Sequence, residues 1–262
     1  MLGVSTPFDK AIDTISSARY HNHRLETHSD TVSSGLFADL VQLCEPLRSD
    51  VERGTVKVWM NVSAPGDRRR KVDLFVGEPD SDGHPDIHKV RIALENKSVI
   101  TAHRNRTNRF DDLQKILAAI HAARPEALLI ATVLVGLAER VLNIPDQVHR
   151  LYRGREKYFQ KKVLPRLSSG DENLWKSFSS AVSRNSSTDA LRTVELFREL
   201  PTRKAGHTHV EGYDYVLLVP VLIDNVNPPS LPRPNPLGID VDFEYRQMLE
   251  QMCAAYRARW HM

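Results

Sequence analysis

Residues 89–99 read KVRIALENKSV, and the fold turns on how this stretch is read. Val90, Ile92 and Leu94 recur at every second position, the period of a strand with one face turned inward. Glu95 and Lys97 then stand opposite Leu94. Side chains two apart on a strand share a face, so these two project together, roughly 6.6 Å apart along the backbone. Asn96 points the other way. Upstream, RRKVDLFVG at 69–77 places Val72, Leu74 and Val76 on one face and Asp73 on the other. Before that, GTVKVWMNV at 54–62 alternates Val56, Val58, Met60 and Val62 with Lys57, Trp59 and Asn61. The turn-forming residues at 64–67, Ala-Pro-Gly-Asp, join these two strands into a hairpin. If the hairpin's second strand pairs with 89–99, Asp73 meets Glu95 and Lys97.

Working outward, helical spacing of Leu36, Leu40, Leu43 and Leu47 predicts a helix over 31–47, after an opening helix at 7–20 and a polar, His-rich link. Beyond the third strand a helix is expected from about Asn108, capped by Asn108 or Thr107, to Ala123, with Phe110, Leu113, Leu117 and Ile120 buried. The apolar run at 127–136 then reads as a strand covered on both faces. Residues 145–200 read as wholly helical, with breaks at 168–171 and 184–188. A strand returns at 213–223, where Pro220 suggests an edge or a bulge. A proline-rich loop at 227–236 and an amphipathic helix at 240–260 follow. The expected fold is α/β with a mixed sheet. Its divisions are 1–29, a helix and polar link; 30–136, the core; 137–205, a helical subdomain; and 206–262, a strand, loop and helix returning to the core.

Two carboxylates beside a lysine suit a hard divalent cation, because Mg²⁺ prefers oxygen ligands and retains several waters. Such a cation can acidify a water and offset charge on a phosphoryl group. As a bland alternative, Glu95 and Lys97 form a surface ion pair and Asp73 is an exposed strand residue. That alternative explains poorly why three charged residues occupy the most apolar strands, where such residues are disfavoured.

In Val72-Asp73 and Glu95-Asn96-Lys97 the sequence resembles the PD-(D/E)XK nuclease superfamily, which includes most type II restriction endonucleases. The family core is a helix, three strands, a helix and a strand, the order read here over 31–136. The resemblance implies a restriction-endonuclease-like core in which Asp73, Glu95 and the backbone carbonyl of Asn96 hold Mg²⁺, with Mn²⁺ able to substitute, and Lys97 orients or activates the attacking water. Val72 replaces the motif's proline. Some members add an acidic ligand from the first core helix; Asp30, Asp39 and Glu45 are the options, and Asp39 reads as part of a solvated helix face.

The segment HRNRTNR at 103–109 directly follows the Glu-x-Lys strand. Arg104, Arg106 and Arg109 are the residues expected to bind DNA phosphates there, with free backbone N–H groups beside them. The chain has 262 residues, 41% of them hydrophobic, and a net charge of +3 with basic residues clustered, as in Arg68 to Lys71. No apolar run is long enough to cross a bilayer as a helix, so a cytoplasmic protein without a membrane partner is expected. Cys44 and Cys253 predict neither a disulfide framework nor a zinc cluster. His207 and His209, with His21, His23 and His28, lack a carboxylate or cysteine at ligand spacing. The expected function is a Mg²⁺-dependent endonuclease hydrolysing double-stranded DNA, most simply a homodimeric type II restriction enzyme on a symmetric site. Rivals are a repair or structure-specific nuclease of the same fold and a non-catalytic DNA-binding module.

Overall fold

The alternating stretches form β1 (Lys57–Ala64), β2 (Asp67–Pro79) and β3 (Pro85–Val99) in the computed structural model, which describes residues 5–17, 26–64, 67–142, 152–204 and 210–261. Before them come α1 (Pro7–Ser17), α2 (Glu26–Leu43) and α3 (Glu45–Glu52). After β3 the chain runs through α4 (Ala102–Ala123), β4 (Leu128–Gly136), β5 (Arg140–Leu142), β6 (Val182–Arg184), α5 (Asp189–Arg198), β7 (Tyr215–Val221) and α6 (Val241–Trp260). Five strands make one mixed sheet in the order β1-β2-β3-β4-β7. β1–β2 and β2–β3 are antiparallel, while β3–β4 and β4–β7 are parallel.

Two apolar layers sandwich this sheet. On one face Leu36 and Leu40 of α2 and Met248, Met252 and Tyr256 of α6 cover Leu74, Ile92, Leu94, Ile130 and Leu217. On the other, Leu113, Leu117 and Ile120 of α4 and Val194 and Phe197 of α5 cover Phe75, Ala93, Leu129, Val133 and Val135. The run at 127–136 is thus covered from both sides, as an interior parallel strand requires. Pro220 lies on β7, an outer strand of the sheet, where a missing N–H costs least.

Several elements differ from what the sequence suggests. The helix expected over 31–47 is two helices broken at Cys44, because Pro46 at the start of α3 has no N–H to continue the α2 ladder. The interval 145–200 is not wholly helical where described. It contains one helical run over 156–168, whose middle (Phe159–Val163) is a π-helical turn, a short helix (Glu172–Ser177) and α5, but β6 pairs with β5 antiparallel. A small separate core of Leu142, Phe159, Leu167, Phe178 and Val226 holds this lobe together. The departure from the helical expectation is the strand pair: β5 and β6 are three residues each, too short to show the alternation by which a strand is read from sequence. α4 begins at Ala102, six residues before Asn108. Its first turns are arginine-rich, good helix formers without an apolar stripe, so periodicity did not reveal them.

Candidate active site

The hairpin does not keep its faces along its whole length. Val72 packs on the α4 side of the sheet whereas Leu74 and Val76 pack on the α2 side, and likewise Val62 and Met60 fall on opposite sides. The expectation that Val72, Leu74 and Val76 share one face is therefore corrected, as is the matching one for Met60 and Val62. The reversal occurs at Asn61 and Asp73, which lie between the paired positions Met60↔Leu74 and Val62↔Val72. Asn61 has φ 55°, the left-handed conformation that Asn tolerates better than most side chains. The paired positions of β2 and β3 extend to Leu74↔Leu94. Asp73 thus stands where β2 parts from β3. Its Oδ2 accepts the Asn96 N–H at 2.6 Å instead of lying flat on the strand.

Glu95 is buried to 3% exposure, and its Oε1 pairs with Lys97 Nζ. Its Oε2 is buried without a hydrogen-bond partner. Burial pushes the Glu95 carboxyl up to about 7, opposed by the Lys97 charge and reinforced by Asp73. Burial likewise raises Asp73; the Asn96 N–H, the Lys97 charge and a hydrogen bond from Ser29 counter it, and Asp30 adds to it. The structure therefore brings Asp73, Glu95 and Lys97 together.

Asn96 points to the opposite face, as its place on the strand requires. Its Nδ2 donates to Ser29 Oγ at 2.9 Å and Ser33 Oγ at 2.8 Å, and its Oδ1 accepts from Thr132 Oγ1 at 2.5 Å. Asn61 Nδ2 donates to Asp30 Oδ1 at 3.0 Å, tying β1 to α2 just below Asp73. Ser29, Ser33, Asn61 and Thr132 escaped the sequence reading. They lie on three different elements, and short polar residues at wide spacing leave no motif.

Of the first-helix carboxylates, Asp30 lies beside the cluster. Asp39 is not simply solvated: it accepts from Tyr245 Oη at 2.7 Å and so links α2 to α6. Glu45 is exposed at the start of α3. Arg106 and Arg109 sit within the early turns of α4 and not in a link before it. Arg106 Nη1 is 3.8 Å from Asp189 Oδ1 of α5, and Arg109 Nη1 donates to Asp112 Oδ2 at 3.2 Å. The Arg104 side chain falls outside the described residues, as do His21, His23, His207 and His209. The Ala102 N–H at the start of α4 is not free, since Asn185 Oδ1 accepts it at 3.2 Å.

Among the described residues no three His, Cys, Asp or Glu side chains cluster closely enough to hold a metal ion. A hard cation asks less of the protein, because one or two carboxylates with waters suffice for Mg²⁺. The orphaned Glu95 Oε2 is an oxygen that such an ion would satisfy, so Asp73 and Glu95 fit this role.

A pH dependence follows from Glu95. Folded, it holds its proton up to about 7, whereas the ordinary value is 4.5. The stability it contributes is complete below 4.5 and is lost as pH rises through about 7. The metal-free protein should lose on the order of 3 kcal/mol from this group across that window. In Glu95→Gln the dependence of stability on pH should flatten; urea titrations showing the same change in stability between pH 5 and pH 8 in both proteins would refute the assignment.

Comparison with protein-family models, with curated proteins and with solved structures returned no match.

Proposed function

We propose that the chain is a Mg²⁺-dependent endonuclease that hydrolyses phosphodiesters of double-stranded DNA on a restriction-endonuclease-like core. The observation that carries this reading is the meeting of Asp73, Glu95 and Lys97 where β2 parts from β3, with one buried carboxylate oxygen left without a partner. Apart from the additional helix α3 between α2 and β1, the elements that carry the cluster (α2, β1, β2, β3, α4, β4) follow the order that the resemblance to PD-(D/E)XK nucleases implies.

Asp73 and Glu95 would hold the cation, together with the backbone carbonyl of Asn96, and Mn²⁺ would substitute. When bound, the ion lowers the pKa of a water and offsets charge on the phosphoryl oxygens. Lys97, paired with Glu95, would be the group to orient the attacking water. Burial keeps competing water away from the carboxylates and strengthens their interaction with a charged partner.

The simplest biological form is a homodimeric type II restriction enzyme in the cytoplasm, acting on a two-fold symmetric site. No described helix is long and apolar enough to cross a membrane. Incubating plasmid with Mg²⁺ or with EDTA tests the reading. Discrete fragments that need Mg²⁺ support restriction, a Mg²⁺-dependent smear supports an unspecific or structure-directed nuclease, and intact plasmid overturns the enzymatic reading in favour of a binding module.

Arg104, Arg106 and Arg109 would meet phosphates beside the cut. Asp112 holds Arg109 in a weak, partly exposed pair that a phosphate can displace, whereas Arg106, whose Nη1 is buried beside Asp189, would have to turn outward to meet one. Alanine at Arg106 or Arg109 should weaken binding to cognate and random duplexes equally, lowering the slope of log affinity against log salt by about 0.9 per lost contact. An unchanged slope would show that the arginine touches no phosphate.

A further inference from the structure

We infer that the Asn96 side chain is a positioning group for the cation site, set by a clamp of three hydroxyls from Ser29, Ser33 and Thr132. The inference rests on the nuclease reading above and goes beyond it. Asn96 lies between the two residues of the Glu-x-Lys pair, and its N–H holds Asp73 Oδ2 at 2.6 Å. That N–H and the Asn96 carbonyl belong to the two peptide units that meet at the Asn96 Cα, so the orientation of the residue about its Cα sets both. What fixes that orientation is on the far face of the strand. There both arms of the amide are used: Nδ2 donates to Ser29 Oγ and Ser33 Oγ on α2, and Oδ1 accepts from Thr132 Oγ1 on β4.

Ser33 is 0% exposed and Thr132 1%, so water cannot easily replace either hydroxyl. Leaving the amide or a hydroxyl unpaired in that setting costs the full desolvation of the group, which makes one orientation of Asn96 strongly preferred. Asn96 lies on the face opposite Glu95 and Lys97, so its side chain meets neither the cation nor the substrate. It acts through the backbone. Groups that orient ligands in this way are worth about 10- to 100-fold in metal affinity or activity. A clamp that only fastened α2 to the sheet would change stability and nothing else.

The test is Mn²⁺ binding to the full chain, read from the electron-paramagnetic signal of free Mn²⁺, for the parent, Asn96→Ala, Ser33→Ala, Thr132→Val and Thr132→Ser. Asn96→Ala and Thr132→Val are expected to raise the Mn²⁺ dissociation constant by about 10- to 100-fold. Metal-free duplex affinity should stay unchanged. Thr132→Ser, which restores the hydroxyl, should restore the parent's Mn²⁺ affinity. The Mg²⁺ concentration giving half-maximal cleavage should rise in parallel. Should Asn96→Ala fail to fold, Ser33→Ala and Thr132→Val each remove one hydroxyl and carry the test.

Folded variants that keep the parent's Mn²⁺ affinity overturn the inference and leave the nuclease reading standing. A parent that binds no Mn²⁺, or binds it equally after Glu95→Gln, overturns the cation site itself and the clamp's role with it.

Discussion

Glu95→Gln is expected to reduce Mg²⁺-dependent plasmid cleavage by at least about 100-fold, the equivalent of roughly 3 kcal/mol of transition-state stabilisation. The amide keeps the size and burial of the carboxylate but removes the charge that Asp73 alone cannot supply to a divalent ion. Asp73→Asn and Lys97→Ala should fall at least as far, the first by removing the other ligand and the second by removing the group that orients the water. In the parent, Ca²⁺ should support duplex binding without efficient cutting, because its looser coordination aligns water and phosphate poorly; metal-free duplex affinity should change little in all three variants. Cleavage rates measured under single-turnover conditions decide the matter. Full activity in any one of the three variants would remove that residue from the chemistry and, with it, the reading of the cluster as a unit.

The largest effect on stability is expected outside this cluster, at Asp214. Its carboxylate accepts from Arg203 at 3.0 Å, from Arg259 at 2.7 Å and from the Leu129 N–H of β4 at 2.8 Å. All three side chains are essentially closed to solvent. Two guanidinium groups share one carboxylate, and Arg203 spreads its remaining charge over the carbonyls of Pro125 and Ala127. Asp214→Ala would leave both arginines charged, buried and unpaired, for which a loss of about 3–5 kcal/mol is usual. The shift should appear as a lower urea midpoint at an unchanged slope. A loss under 1 kcal/mol, within the range of a surface ion pair, would mean that water reaches the arginines and that the network contributes little.

The sequence made the strands and their order legible because their signal is periodic and local. Residues 89–99 and 127–136 declare strands from their own letters, although 90–95 is buried on both faces where one was expected, since β3 is an interior strand. Asp73, Glu95 and Lys97 could be picked out because charge inside such strands breaks a local rule. Their meeting depended on strand pairing, which the hairpin turn and the shared alternation foretold. What stayed hidden was non-local or non-periodic. Asn61 reverses the faces of β1 and β2 through a single left-handed residue, and nothing in a Met-Asn-Val run announces it. The hydroxyls around Asn96 come from α2 and β4, over thirty residues away on either side. Arg203, Asp214 and Arg259 look like ordinary surface charges until three distant segments converge. The early start of α4 was missed because Asn185, more than eighty residues downstream, caps the first N–H that a local capping residue would normally serve.

The position of β4 has a consequence for how the chain is made. β4 ends at Gly136, and its outer neighbour β7 begins at Tyr215, so roughly 80 residues must be synthesised before the pair can form; at about 5–20 residues per second this takes about 4–16 s. Throughout that interval a nascent chain carries Leu128–Gly136, apolar on both sides, with an open row of N–H and C=O groups along one margin. Asp214, which takes the Leu129 N–H, is translated immediately before β7, so this charged anchor and the closing strand leave the ribosome together. Until then the most apolar segment of the protein is also its most adhesive, and its protection during synthesis falls to whatever holds the chain soluble in those seconds.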